Sequence, residues 1–328
     1  MQWRRVLAAI GLATLGGFSA AAAQTPPAMS FGQWLAEFRD DAGKAGIQQG
    51  TLDTALKGVT PIPEIIEFDR KQPEFTLTFA QYIERVAPPA RIRKGRDKVA
   101  ERQELIERIG RQYGVQPRFI AALWGIESDF GRAVGKYSVV QALATLAYDG
   151  RRSKYFRGEL IDALRILDGK HVEPTFMYGS WAGAMGQCQF MPSSFLNFAA
   201  DGDGDGRKDI WRSEADVFAS TASYLAKSGW AGDQTWGRKA SLPSGFDSKL
   251  TDGKTRKTLA EWQALGVRRD DGGDLPARAI SAGVLVVDSP GGGAFLVYDN
   301  FNVIMKWNRS TFFALGVGFL ADGIGGGV

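Results

Sequence analysis

Glu127 stands in the stretch PRFIAALWGIESDFG (117–131), spaced i, i+4, i+7 from Ile120 and Trp124. Pro117 suits the first turn of a helix and Gly131 suits its C-terminal stop. The spacing therefore sets a carboxylic acid beside an indole, one turn from a helix C-terminus. Apolar surroundings and the negative end of the helix dipole both disfavour the carboxylate, so the group is expected to hold its proton to higher pH than usual. That is the requirement for a general acid acting on a glycosidic oxygen. Asp129 falls about 200° further round the helix and cannot share that face. Periodicity alone also fits a surface glutamate on the rim of an apolar stripe.

A second stretch, GSWAGAMGQCQFMPSSF (179–195), interleaves Ser180, Gln187 and Gln189 with Trp181 and Phe190. Neutral hydrogen-bonding groups between flat apolar faces suit sugar rings, and Gly179, Gly183 and Gly186 allow close backbone approach. A structural glycine-rich loop before a helix at Met191-Pro192 is the other reading. A third stretch, DGDGDGRKDIW (201–211), places Asp201, Asp203 and Asp205 at positions 1, 3 and 5 of a calcium loop, with Gly206 at 6 and the Arg207 carbonyl at 7. Position 12 is Arg212 rather than Glu, so Glu214 or Asp216 must close a longer loop. Asp216 has a rival part in the capping box Ser213–Asp216. Three crowded carboxylates repel one another unless a cation sits among them, and calcium suits this flexible all-oxygen set better than magnesium. An Asp-Gly turn without metal is the alternative.

The scarce residues narrow the chemistry further. One His (His171) excludes a HExxH zinc site, and one Cys (Cys188) excludes an internal disulfide and every cysteine-cluster metal site. Carboxylates, hydroxyls, amides or a hard cation remain. With 44% apolar and 23% charged residues the 328-residue chain is of ordinary globular composition, not disordered. Its net charge of +4 is too small to indicate nucleic acid. Residues 1–23 read as a cleavable export leader: Arg4 and Arg5, an apolar run, and Ala21-Ala22-Ala23 before Gln24. No Cys lies near that cleavage site to carry a lipid anchor, and a periplasmic, monomeric protein is expected.

The elements that must position these residues are mostly helical. Helices are expected over 30–58, 92–113, 117–131 and 310–323, with strands over 279–288 and 294–298. The predicted class is mainly α (α+β), with a small β-containing insertion. The division expected along the chain is a leader (1–23), then a single catalytic region (24–328). Within that region fall a helical part (30–110), a core with the ion loop (111–230, loop 201–216), the insertion (231–298) and a return to the core (299–328).

Taken in order, GIESDFGRAVGKYSVVQALATLAYDGRRSKYFRGEL (125–160), GSWAGAMGQCQFMPSSF, the acidic loop and DNFNVIMKWNRST (299–311) closely resemble the MltB-type lytic murein transglycosylases. The resemblance runs from about residue 30 to 323. It implies a lysozyme-like catalytic core and a carbon–oxygen lyase acting on peptidoglycan glycan strands. Such an enzyme cleaves the β-1,4 bond between N-acetylmuramic acid and N-acetylglucosamine and leaves a 1,6-anhydromuramic end. Glu127 matches the single catalytic acid, and no convincing second acid accompanies it, unlike the usual two-carboxylate glycosidase. By the same resemblance Ser180, Gln189, Tyr82, Tyr224 and Asn300 match substrate-contacting positions. Asp201, Asp203, Asp205, the Arg207 carbonyl and Asp216 match calcium ligands; calcium is the one cofactor implied, and no organic one is.

Overall fold

The structure, a computed structural model, describes residues 29–70 and 77–326; the leader read from residues 1–23 lies outside them. In chain order the elements are α1 (Phe31–Lys44), α2 (Gln49–Ala55), α3 (Pro63–Arg70), α4 (Phe79–Val86), α5 (Pro89–Glu101), α6 (Gln103–Tyr113) and α7 (Pro117–Ser128). Then follow β1 (Tyr137–Ser138), α8 (Val139–Asp149), α9 (Ser153–Asp168), β2 (Tyr178–Gly179), α10 (Pro192–Phe198) and α11 (Glu214–Lys227). The last part holds β3 (Gly237–Ser241), β4 (Lys257–Thr258), α12 (Leu259–Ala264), β5 (Arg268–Arg269), β6 (Ser281–Val287), β7 (Gly293–Val297), α13 (Asp299–Trp307) and α14 (Thr311–Gly325). No helix among the described residues is long and apolar enough to cross a membrane.

Two of the expected helices are each broken once. The 30–58 segment divides at Gly46, whose left-handed φ of 91° ends α1, and Ile47 N–H reaches back to the Ala42 carbonyl. The 92–113 segment divides at Arg102, where neither glycine nor proline marks the break.

The chain forms two compact units, each discontinuous in sequence. The first holds the described part of Thr14–Glu74 with Leu123–Ser223, and the second the described part of Phe75–Ala122 with Tyr224–Val328. The division falls within α7 and within α11. In the first unit α8 and α9 supply the core, with Val139, Leu143, Leu160 and Leu164 almost completely buried. Both follow i, i+4 spacing, so one stripe of each helix is apolar.

In the second unit five antiparallel strands pair in the order β4-β6-β7-β3-β5. Strands β6 and β7 register Leu285 against Phe295 and Gly283 against Val297. Val284 and Leu296 point into a core with Leu259, Trp262 and Val267. Alternation of side chains along a strand explains why one face is apolar.

Candidate active site and acidic loop

Glu127 is the penultimate residue of α7 and is half-buried. The helix stops one residue later, earlier than Gly131 alone suggests. Asp129 (φ 50°), Phe130 (φ 59°) and Gly131 (φ 81°) are three consecutive left-handed residues. Two of them are not glycine, a strained arrangement that persists only where neighbours impose it. The neighbours are visible. Phe130 N–H donates to the Trp124 carbonyl (3.2 Å), Gly131 N–H to Ser128 Oγ (3.1 Å), and the Phe130 ring stands edge-on to the Trp124 indole. Asp129 is ion-paired with Arg132 at 2.6 Å.

The segment after this turn is stitched to the glycine-rich stretch. Tyr137 pairs with Gly179 and Ser138 with Tyr178, and a Cβ on Gly135 would lie 2.0 Å from the Gly179 carbonyl oxygen. Within the stretch, Ser180 N–H donates to the Ala184 carbonyl (2.8 Å), while Ser180 Oγ accepts from Ala184 N–H (3.1 Å). Ser180 is thereby held in a tight loop and almost fully buried. Gln189, again left-handed (φ 51°), donates from Nε2 to the Gly186 and Val134 carbonyls at 2.8 and 3.2 Å. Trp181 is half-buried, its ring 6.3 Å from that of Phe68.

Cys188, between the two glutamines, packs against α11, with Sγ 3.5 Å from the Val217 carbonyl and 3.6 Å from Thr221 Oγ1. Burial pushes its thiol up to about 12, the Thr221 contact opposes this, and the Glu127 and Asp216 carboxylates add to the rise. Both carboxylates thus lie within electrostatic reach of the 187–189 segment, and the cysteine itself is an inert core thiol.

In the acidic loop, carboxylate oxygens of Asp201, Asp203 and Asp216 lie within 4.8 Å of one another. Asp216, not Glu214, completes the group. Its side chain turns away from the Ser213 backbone into the loop, accepting from Gly202 N–H (2.7 Å) and Asp209 N–H (2.5 Å), so only the Ser213 half of the capping box forms. Asp216 is fully buried, and burial, reinforced by Asp203 and Asp201, raises it to about 6. Asp201 is held below the usual range, chiefly by the N–H of Gly206 and also by that of Gly204. Asp205 stands outside the three-carboxylate group, with its Oδ1 accepting from Arg207 N–H at 2.8 Å. The donor set is oxygen throughout, and a buried carboxylate crowded by two others fits a hard cation.

Tyr82, Tyr224 and Asn300 belong to the second unit. Tyr82 is buried on α4, its ring 5.7 Å from Phe312. Tyr224 donates its hydroxyl to the Lys306 carbonyl at 2.7 Å. Asn300 has no exposed surface. Its Oδ1 accepts from Ala231 N–H, and its Nδ2 donates to the carbonyls of Ala231 and Gln234, each within 2.9 Å. Its amide pins the 231–234 loop.

A signal passed over in the sequence is the pairing of Trp124 with Gln187, whose Nε1 and Oε1 atoms are 2.7 Å apart. Both residues stand out by type, but 63 positions separate them.

The end of α7 that bears Glu127, set against a glycine-rich loop of neutral donors and aromatic rings, is the arrangement of a lysozyme-like core. Residues 30–322 match the family described as "Transglycosylase SLT domain", and the chain belongs to that family. It is 33% identical over 233 residues to membrane-bound lytic murein transglycosylase B of Escherichia coli (strain K12). That match takes in 68% of this chain and 60% of the relative, so the chain spans about three-fifths of the length of that curated protein. SltB3 of Pseudomonas aeruginosa, solved in complex with NAG-anhNAM-pentapeptide, superposes with a TM-score of 0.88 at 44% identity, over 91% of this chain and 80% of that one. The Escherichia coli lytic transglycosylase Slt35, solved in complex with calcium, gives 0.73 at 28% identity over 89% and 92%.

Proposed function

We propose that this chain is a peptidoglycan lytic transglycosylase, with Glu127 as the one acid–base group. Glu127 gives its proton to the glycosidic oxygen between N-acetylmuramic acid and N-acetylglucosamine. As that C1–O bond breaks, the N-acetyl group assists at C1. The Glu127 carboxylate then takes the proton of the muramic C6 hydroxyl while the C6 oxygen bonds to C1 and displaces the N-acetyl oxygen there. The products are an N-acetylglucosamine end and a 1,6-anhydromuramic end, with no water consumed. The observation that carries this reading is the likeness to SltB3, which was also solved with NAG-NAM-pentapeptide. The position of Glu127 supports it: half-buried at the end of α7, with the nearby Asp129 neutralised by Arg132. Ser180 and Gln189 are read as the substrate-contacting groups of the first unit. Tyr82, Tyr224 and Asn300 are read as groove residues of the second, with Asn300 acting through the loop it pins.

The acidic loop is read as a calcium site held by Asp201, Asp203, Asp205, the Arg207 carbonyl and Asp216. Bound there, the ion would supply counter-charge to the crowded carboxylates. The leader-like residues 1–23 support export to the periplasm, and peptidoglycan is the one partner proposed. Digestion of purified sacculi with mass analysis of the muropeptides tests the reaction. Anhydro ends, lighter by one water than reducing ends, are expected, with activity lowered roughly 10²–10⁴-fold in Glu127→Gln. Reducing ends alone would make the protein a hydrolytic muramidase. Undiminished lysis by Glu127→Gln would remove Glu127 from the mechanism. Binding of sacculi without any cleavage would leave a calcium-stabilised wall-binding protein.

A further inference from the structure

Gln187 is nearly buried, and both polar atoms of its side chain are hydrogen-bonded within the first unit. Its Oε1 accepts from Trp124 Nε1–H (2.7 Å), its Nε2 donates to the Trp211 carbonyl (3.0 Å), and its backbone N–H donates to the Ile210 carbonyl (2.8 Å). Its amide also fills the space beside Gly131, where a Cβ would come within 2.3 Å of Oε1. One side chain therefore touches three segments: the last turns of α7, the left-handed turn closing that helix, and the 210–211 segment. The last of these is tied to the acidic loop through Asp209, whose N–H donates to Asp216.

Trp124 is the point on α7 where this matters, being one turn before Glu127. Its carbonyl accepts from Ser128 Oγ and from Phe130 N–H, and its ring packs edge-on against Phe130 and Phe218. A hydrogen bond that fixes the indole therefore fixes the turn bearing Glu127 and the strained residues after it. The loop that supplies Gln187 also supplies Gln189, two residues on.

We infer that Gln187 is a positioning residue, its amide holding the general acid's helix end in register with the substrate loop through the Trp124 indole. The inference rests on the reading of Glu127 as the acid. Reacting groups must be held to within a fraction of an ångström, and small misplacements cost up to about 10²-fold in rate. An apolar filler of the same length would satisfy packing alone, whereas register requires the hydrogen bonds.

The test uses the full chain and a soluble glycan substrate. Gln187→Met keeps the length and removes both side-chain bonds, and Trp124→Phe keeps a ring and removes the donor. Each is expected to lower kcat roughly 10-fold or more with KM within about twofold, and the double variant is expected to be no slower than the slower single one. Gln187→Glu, when protonated, can accept from Trp124 and donate to Trp211 as the amide does. Its kcat is therefore expected to approach wild type at low pH and to fall through a new ionisation as pH rises. Circular dichroism confirms which variants fold; if Gln187→Met does not, Trp124→Phe and Gln187→Glu still decide. Folded variants with wild-type kcat and pH profile overturn the inference and leave Gln187 a packing residue. Activity retained by Glu127→Gln in the same assay overturns the underlying reading instead.

Discussion

Glu159 on α9 is buried at the start of α10, where it accepts from Ser193 N–H (2.9 Å) and Ser193 Oγ (2.7 Å). Burial outweighs these bonds and raises its pKa above the ordinary 4.5. A carboxyl that holds its proton more tightly folded than unfolded makes the native state bind the extra proton. Stability from this group is then fully present below the unfolded value and lost as pH rises through the folded one. Glu159→Gln does not titrate, so the melting-temperature difference between wild type and variant should move in favour of wild type as pH falls from 7 towards 5. Thermal melts across that range check it, and a difference that is flat or moves the other way would show that burial does not govern this group. Glu127 and Glu159 are the same residue type, and Glu127 was legible as a candidate because its neighbours on one helix lie at fixed offsets. Glu159 was not, since the Ser193 donors that bury it come from another helix 34 residues away.

At the scale of elements, α11 begins where the acidic loop ends. Asp216 lies in its first turn and takes the N–H groups of Gly202 and Asp209, so the loop and the helix start share one buried carboxylate. If calcium binds Asp201, Asp203 and Asp216 in the folded chain only, its removal withdraws about 2.7 kcal/mol at a hundredfold excess over Kd. For a chain of this size that is a fall in Tm of roughly 4 °C on chelation, restored by calcium and not by equimolar magnesium. Differential scanning calorimetry with and without chelator measures it, and an unchanged Tm would sink the ion-site reading. The loop was readable because Asp-Gly repeats fix its own turns. The choice of Asp216 over Glu214 was not, because it depends on which carboxylate is buried. The breaks at Gly46 and Arg102 separate two cases of the same kind: αL glycine leaves a local mark, whereas no glycine or proline marks the break at Arg102. The left-handed pair Asp129–Phe130 is held by contacts within residues 124–132, and neither residue type marks it in the sequence.

At the scale of the whole molecule, neither unit is a continuous piece of chain, which a reading along the sequence does not reveal. The strands at 281–287 and 293–297 were legible from alternation, but their unit also needs residues 75–122. Within it the Phe119 ring meets Trp230 at 4.6 Å, and Gln116 donates to the Gly232 and Gln234 carbonyls while accepting from Trp230. Arg118 pairs with Asp322, which also accepts from the Trp236 indole. A chain ending at Ser223 would keep Phe75–Ala122 and lose every one of these partners. Phe79, Tyr82, Val86 and Phe119, all now buried, would lose the cover of Phe312, Gly316 and Trp230, worth about 1.5–3 kcal/mol per side chain. That loss is comparable with the whole stability of a domain, about 5–15 kcal/mol. The 24–223 fragment is therefore expected to aggregate or to melt without a cooperative transition, although it retains Glu127, Ser180, Gln189 and the acidic loop. Size-exclusion chromatography and thermal circular dichroism decide this. A monodisperse fragment with a sharp transition would show that the first unit tolerates the stranded 75–122 segment, and that its fold does not depend on the second half of the chain.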